Sequence, residues 1–107
     1  MAYQHWNFSS TEIYEPGQLC SFGMSTYSHF SVQCDVTAIT VPVVNCTIKI
    51  QESLDGLNWH DIPDVLETIT TTGIYLMRSS SHMGQCRAYV SMDSGEFTVT
   101  TKVNVKD

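Results

Sequence analysis

Apolar and polar side chains alternate with a period of two residues along four stretches of the chain. The stretches span 30–38, 46–51, 86–92 and 97–105. A period of two places successive side chains on opposite faces of a β-strand. Alternation this regular is typical of antiparallel sheets that keep one face in water, and it excludes a parallel sheet that is buried on both faces.

Turn-forming residues separate the alternating stretches. These turn signals are Glu15-Pro16-Gly17, Asp55-Gly56, Thr72-Gly73 and Asp93-Ser94-Gly95. We expect the last of them to close a three-residue hairpin. Shorter apolar runs complete the pattern at 6–8, 19–22, 59–62, 66–70 and 74–77. The chain is therefore predicted to be all-β, an antiparallel two-sheet sandwich or jelly roll of about eight strands.

The length and composition fit one folded unit. A chain of 107 residues corresponds to a single domain, which we place at 1–107 with an N-terminal arm over 1–17. No run approaches the ~20 apolar residues that a membrane-spanning helix needs. The first residues lack the basic region and apolar core of a signal peptide. We therefore expect neither a membrane partner nor export.

The formal net charge of −6 limits the partners that this chain can bind. The cationic residues are Lys49, Arg78, Arg87, Lys102 and Lys106. Nucleic-acid affinity needs clustered Lys and Arg, and these residues are scattered along the sequence. The charge pattern therefore argues against a nucleic-acid partner.

The N-terminal part of the chain is rich in aromatic residues and poor in charge. Seven aromatic residues lie within the first 30 positions, and no Lys or Arg precedes Lys49. This composition is typical of the centre of a protein interface. We predict that Tyr3, Trp6 and Phe8 contact a partner.

Four cysteines, Cys20, Cys34, Cys46 and Cys86, lack the Cys-x-x-Cys spacing of a structural zinc site. Two disulfides are one alternative, with three pairings. However, the last three cysteines fall on the apolar phase of predicted strands, where a free thiol behaves as a small hydrophobic group. We therefore expect buried thiols.

Carboxylates and histidines are the candidates for catalysis or metal binding. Asp55, Asp61 and Asp64 lie near one another, and paired carboxylates can hydrolyse a glycoside or hold calcium. Apolar residues interrupt this segment, so we interpret Asp55 before Gly56 as a turn. The histidines, none in a metal-binding pair, are His5, His29, His60 and His82. A small hydrolase that uses Asp55, Asp61 or His60 is the enzymatic alternative, but we expect no enzyme, cofactor or metal site.

The most distinctive local motif is Ser53-Leu54-Asp55-Gly56-Leu57-Asn58-Trp59, which follows an alternating strand. Asp55 and Gly56 are predicted to reverse the chain, and Trp59 to anchor the returning strand on the core. The form Ser-x-Asp-Gly-x-Asn-Trp resembles the hairpin of discoidin-like and carbohydrate-binding sandwiches. It also resembles small virion proteins of tailed bacteriophages, to which Arg87-Ala88-Tyr89-Val90 and 96–100 are similar as well.

The resemblance to phage proteins implies a non-enzymatic structural role in the virion. The expected function is that of a capsid decoration (cement) protein, which binds the major capsid protein or other virion subunits and stabilises the shell. The protein would assemble in the cytoplasm of the bacterial host, as a homo-oligomer for which a trimer suits symmetric shell sites. The alternative is a glycan-binding or structural module of a tail fibre or baseplate, with Trp59, Tyr75 and Tyr89 as candidate sugar contacts.

Overall fold

The computed structural model describes residues 3–24, 26–81 and 83–107, and eight β-strands make up most of this part of the chain. The strands are β1 (Tyr3–Ile13), β2 (Gly17–Gly23), β3 (His29–Val44), β4 (Thr47–Ser53), β5 (His60–Thr68), β6 (Gly73–Ser80), β7 (Gln85–Ser91) and β8 (Ser94–Lys106). The all-β prediction is confirmed. Within these ranges, no helix is long and apolar enough to cross a membrane.

The strands form two four-stranded antiparallel sheets that pack face to face. The first sheet has the order β1-β8-β3-β6, and the second has the order β2-β7-β4-β5. Each strand of the first half of the chain pairs with its mirror in the second half: β1 with β8, β2 with β7, β3 with β6 and β4 with β5. This is one long hairpin rolled around the core, the arrangement of a jelly roll.

The turn signals have different roles in this topology. Asp55-Gly56 joins β4 to β5 within the second sheet, and these are the only consecutive strands, of the eight described, that share a sheet. The predicted hairpin at Asp93-Ser94-Gly95 is wrong, because β7 lies in the second sheet and β8 in the first. A hairpin within one sheet and a crossing between the two sheets both need a tight turn between alternating strands. The local sequence pattern therefore does not distinguish a hairpin from a crossing.

Two predicted boundaries also differ from the structure. The runs 59–62 and 66–70 contribute to a single strand, β5, which is distorted at Asp64, where φ is 64°. The alternating stretch predicted at 30–38 also ends too early, because β3 continues through Pro42 to Val44. The pairing of β3 with β6 ends at Val36, so Pro42 lies where β3 has lost that neighbour and a missing N–H costs little.

The core lies between the inward faces of the two sheets. Its largest fully buried side chains include Phe97, Met24, Ile48 and Ile50. Phe22 and Phe30 are buried as well, with ring centroids 5.8 Å apart.

All four cysteines are buried and unpaired, as expected. Burial raises the pKa of Cys34 to about 12 and that of Cys20 to about 11. The thiols are therefore protonated and act as small apolar groups in the core.

Candidate functional site

The predicted N-terminal contact residues divide between the core and the surface. Residues 3–13 form β1, an edge strand of the first sheet that is paired along β8. Trp6 and Phe8 are half-buried and pack against the core of their own chain, and the Trp6 ring lies 6.1 Å from that of Phe22. Tyr3 is 71% exposed. Of the three predicted contact residues, Tyr3 therefore offers the most free surface.

The β4–β5 turn is held by a dense set of hydrogen bonds around Asp55. The side-chain oxygen Oδ1 of Asp55 accepts the main-chain N–H groups of Leu57 at 2.8 Å and Asn58 at 2.9 Å. Its Oδ2 accepts the side-chain amide of Asn58 at 2.8 Å. Ser53 Oγ accepts the main-chain N–H of Gly56 at 2.9 Å, and Gly56 has φ of 75°. The hydrogen bonds from the N–H groups of Asn58 and Leu57 hold the pKa of Asp55 well below its usual range.

This turn presents two leucines to solvent. Leu54 is 76% exposed and Leu57 is 82% exposed, and both lie beside Asp55 at one end of the sandwich. The hydrogen bonds to the Asp55 carboxylate fix the backbone of residues 55–58. The two leucines therefore project from an ordered turn. An exposed pair of large apolar side chains on an ordered turn is a candidate contact surface. We call Leu54 and Leu57 the leucine tip.

The outer face of the second sheet carries a stack of Trp59, Arg87 and Tyr89. The guanidinium carbon of Arg87 lies 4.4 Å from the Trp59 ring centroid and 4.8 Å from that of Tyr89. Both distances are typical of cation–π contacts. The prediction that Trp59 anchors β5 on the core is therefore corrected: the ring is half-buried and covers Arg87 on the outer face.

Hydrogen bonds extend this stack across the same face. Arg87 Nε donates to Gln51 Oε1 at 2.7 Å, and Gln51 Nε2 donates to Asp61 Oδ1 at 2.7 Å. Lys49 Nζ forms a salt bridge with Asp61 Oδ2 at 3.3 Å. The bond from Gln51, with a smaller contribution from Lys49, lowers the pKa of Asp61. Both cations of this face are thus engaged within the chain.

The residues of the hydrolase alternative do not meet in one place. Asp55 and His60 line a shared depression, but the Asp55 carboxylate is bonded to its own loop. Asp61 belongs to the network with Gln51 and Lys49. His82 lies outside the described residues. Among the residues that are described, no three His, Cys, Asp or Glu side chains form a group that could hold a metal ion.

The proposed sugar contacts are also divided. Tyr75 is half-buried against the core, and its hydroxyl donates to the Thr71 carbonyl at 2.7 Å. Trp59 and Tyr89 share a face, but each has Arg87 against its ring. Arg87 therefore occupies one face of each ring, which leaves only the opposite face of Trp59 and Tyr89 for a sugar.

The remaining cations, scattered in sequence, come together on the outer face of the first sheet. Arg78 lies opposite Ser31 on β3, while Lys102 and Lys106 lie on β8 opposite Gln33 and His29. All three cations are exposed. In the described part of the chain, no ion pair or side-chain hydrogen bond engages any of them. The sequence showed part of this grouping, since Lys102 and Lys106 share one phase of the β8 alternation.

Comparison with known protein families and with curated proteins finds no match to the sequence. The fold itself defines an eight-stranded jelly-roll protein. Its surface carries a rigid leucine tip, an internally bonded aromatic face and an opposite face with unengaged cations.

The low pKa of Asp55 predicts a pH dependence of stability. The folded-state pKa is depressed below the ordinary value of 3.8, so the stabilisation is present above about pH 4 and is lost as the pH falls further. In Asp55→Asn this loss should be absent, and the unfolding free energy should fall less between pH 5 and pH 2 than in the parent. Chemical denaturation at several pH values measures this difference.

Asp64→Asn is the matched control for that measurement. Asp64 is exposed on β5, and the substitution removes the same charge from a carboxylate outside the turn. The control should retain the acid sensitivity of the parent. Equal pH profiles for Asp55→Asn and the parent would show that the turn hydrogen bonds do not stabilise the ionised form.

Proposed function

We propose that the chain is a non-enzymatic structural protein of a bacteriophage virion, a decoration protein that binds the major capsid shell. The observation that carries the proposal is the leucine tip, where Leu54 and Leu57 are exposed on a turn fixed by Asp55. A rigid apolar display loses little conformational entropy when a partner covers it. The tip therefore replaces Trp6 and Phe8 as the main contact in this proposal.

The fold supports the same role. Jelly rolls recur in viral capsid proteins and in lectin domains, although a fold by itself does not define a function. The hairpin Ser53–Trp59, on which the resemblance to phage virion proteins rests, is the tip of the rolled hairpin. The residues of the resemblance and the exposed leucines thus occupy the same end of the molecule.

The four unpaired cysteines also support the proposal. Disulfides form in oxidising compartments and are rare in a bacterial cytoplasm, which is where virion proteins of this kind assemble. Buried thiols suit that environment. The partner is then a capsid protein or another virion subunit, and association into a homotrimer at symmetric shell sites is part of the proposal.

The leucine tip gives the proposal a direct test. The double variant Leu54→Ser/Leu57→Ser should bind shells that lack the protein about a hundredfold more weakly, because each leucine buried at an interface contributes roughly 1.5 kcal/mol. Its thermal stability should stay close to that of the parent, since both side chains are exposed. Cosedimentation with shells of the phage that encodes the chain measures the binding.

Leu66→Ser is the matched control for shell binding. Leu66 is 51% exposed on β5 and lies away from the turn. This variant should bind shells as the parent does. The proposal fails if the parent does not bind shells, and the assigned contact is wrong if the double variant binds as tightly as the parent.

A further inference from the structure

A cleft of about 510 Å³ lies at one end of the first sheet, where β3, β6 and β8 meet. It is lined by His29, Phe30, Ser31, Arg78, Ser79, Ser80, Lys106 and Asp107. The register explains the convergence, since His29 on the central strand lies opposite both Ser80 and Lys106, and Ser31 lies opposite Arg78. Pockets for small ligands are typically about 300–1,000 Å³, so the cleft has the size of a ligand site.

Two exposed cations of the cleft, Arg78 and Lys106, offer contacts for an anionic group. Arg78 and Lys106 lie on the strands either side of β3, opposite Ser31 and His29, which places them about 12 Å apart at the backbone. Long side chains can reach one anionic group from both sides. Neither cation has an ion-pair partner in the described part of the chain. Asp107 also lines the cleft. It takes part in an interaction of its own within the chain, whereas the Arg78 and Lys106 side chains are exposed. In a protein of net charge −6, two neighbouring exposed cations are a local arrangement that the average charge of the surface does not predict.

The neutral groups of the cleft narrow the class of ligand. Two serines of the lining, Ser31 and Ser80, lie on the same outward phase as Arg78 and Lys106, and their hydroxyls can exchange hydrogen bonds with ligand hydroxyls. Phe30, the one aromatic ring other than histidine in the lining, is 2% exposed. Without an open ring to stack on, a neutral sugar has little to bind, whereas an acidic sugar gains charge-assisted hydrogen bonds.

We propose that this cleft binds an acidic saccharide, with its carboxylate on Arg78 and Lys106 and its hydroxyls on the serines. The site lies on the first sheet, at the same end of the sandwich as the leucine tip, since Ser81, next to Ser80, donates to Glu52 at the end of β4. It is built from other residues than the leucine tip and the Trp59–Arg87–Tyr89 stack. The inference therefore goes beyond the proposed capsid role and does not rest on it.

A titration with two matched disaccharides tests the proposal. Cellobiuronic acid carries a carboxylate that cellobiose lacks, and the two share the rest of their structure. We expect the acid to shift the amide NMR signals of β3, β6 and β8 around the cleft, and cellobiose to leave them unchanged. Inorganic phosphate and an oligo-glutamate peptide serve as probes for a bare anion site and for an acidic protein partner.

A pair of lysines on the same strand provides the matched variants. Lys106→Gln should weaken binding of cellobiuronic acid about tenfold, the usual effect of losing one charge-assisted contact, and Arg78→Gln should do the same. Lys102→Gln removes the same charge from the same face and outside the cleft lining, so binding should stay within about twofold of the parent.

Several results would overturn the acidic-saccharide site. If Lys102→Gln and Lys106→Gln weaken the binding of cellobiuronic acid equally, then the cationic face attracts the acid in general and the cleft is not a specific site. Phosphate that binds as tightly as cellobiuronic acid would leave a bare anion site, and tighter binding of oligo-glutamate would indicate a protein surface as the partner. Failure of shell binding would leave this site unaffected, because the titration uses the isolated protein.

Discussion

Gly95→Ala is expected to lower the free energy of unfolding by about 3 kcal/mol or more, since backbone strain and steric overlap each cost roughly 1–3 kcal/mol. Gly95 has φ of 121°, a conformation that L side chains rarely adopt. A Cβ atom there would lie 2.6 Å from Val43 Cα and 2.8 Å from the Pro42 carbonyl oxygen. Both contacts are with backbone, so no side-chain rotation relieves them.

The location of Gly95 explains why the structure depends on it. The residue lies near the start of β8, immediately after the chain has crossed from the second sheet to the first. Here β8 meets the last residues of β3, where the register shifts between Val41 and Val44. The close approach of the two backbones helps to close the rolled hairpin, and it leaves no room for a side chain.

Gly17→Ala is the control for Gly95→Ala. No atom lies within 4 Å of a Cβ built at Gly17, and its φ is not in the left-handed region. The free energy of unfolding of Gly17→Ala should equal that of the parent or exceed it by up to about 1 kcal/mol, since alanine restricts the unfolded chain. Thermal and urea unfolding compare the two variants, and equal stability of both would contradict the close packing of β8 against β3.

Phe97→Ala is expected to cost about 3–5 kcal/mol, the usual range for removing a buried phenylalanine. Phe97 is 0% exposed and is the largest of the fully buried side chains. It lies on β8 between Ile13 of β1 and Ile39 of β3. A cavity at this position removes packing contacts from three strands of the first sheet, so urea unfolding should show a large fall in the midpoint.

Phe8→Ala is the comparison for Phe97→Ala. Phe8 is half-buried on the edge strand β1, where the neighbouring side chains can relax and water can enter. Phe8→Ala should therefore lower the free energy of unfolding by less than half as much as Phe97→Ala does. If Phe8→Ala costs as much as Phe97→Ala, then the N-terminal strand contributes more to the core than its exposure indicates.

Most of the strands could be predicted from the sequence because a period of two depends on neighbouring residues alone. The inward set of the clearest run, with Val32, Cys34 and Val36, is buried as its phase indicates. The order of strands in the sheets could not be predicted in the same way. Six of the seven connections cross between sheets, and a tight turn such as 93–95 is equally suited to a hairpin and to a crossing.

The candidate surface sites could not be predicted without knowing the order of strands in the sheets. Trp59 was predicted to lie on the core because of its size. Its phase in the alternation, shared with Asp61 and not with buried Ile62, would have placed it on the outer face. Arg78 and Lys106 are 28 positions apart in the chain, and they reach one cleft because β6 and β8 flank β3. The leucine tip had no periodic signal, since Leu54 and Leu57 lie in a loop whose exposure depends on the hydrogen bonds of Asp55.

The proposed function assigns the chain to a phage virion, and counting its copies in purified particles of that phage tests the proposal most directly. A decoration protein occupies symmetric sites over the whole shell. Quantitative mass spectrometry of virions should therefore find hundreds of copies per particle, in a fixed ratio to the major capsid protein. A handful of copies would contradict the capsid role and favour a tail fibre or baseplate module, and absence from the virion would contradict both.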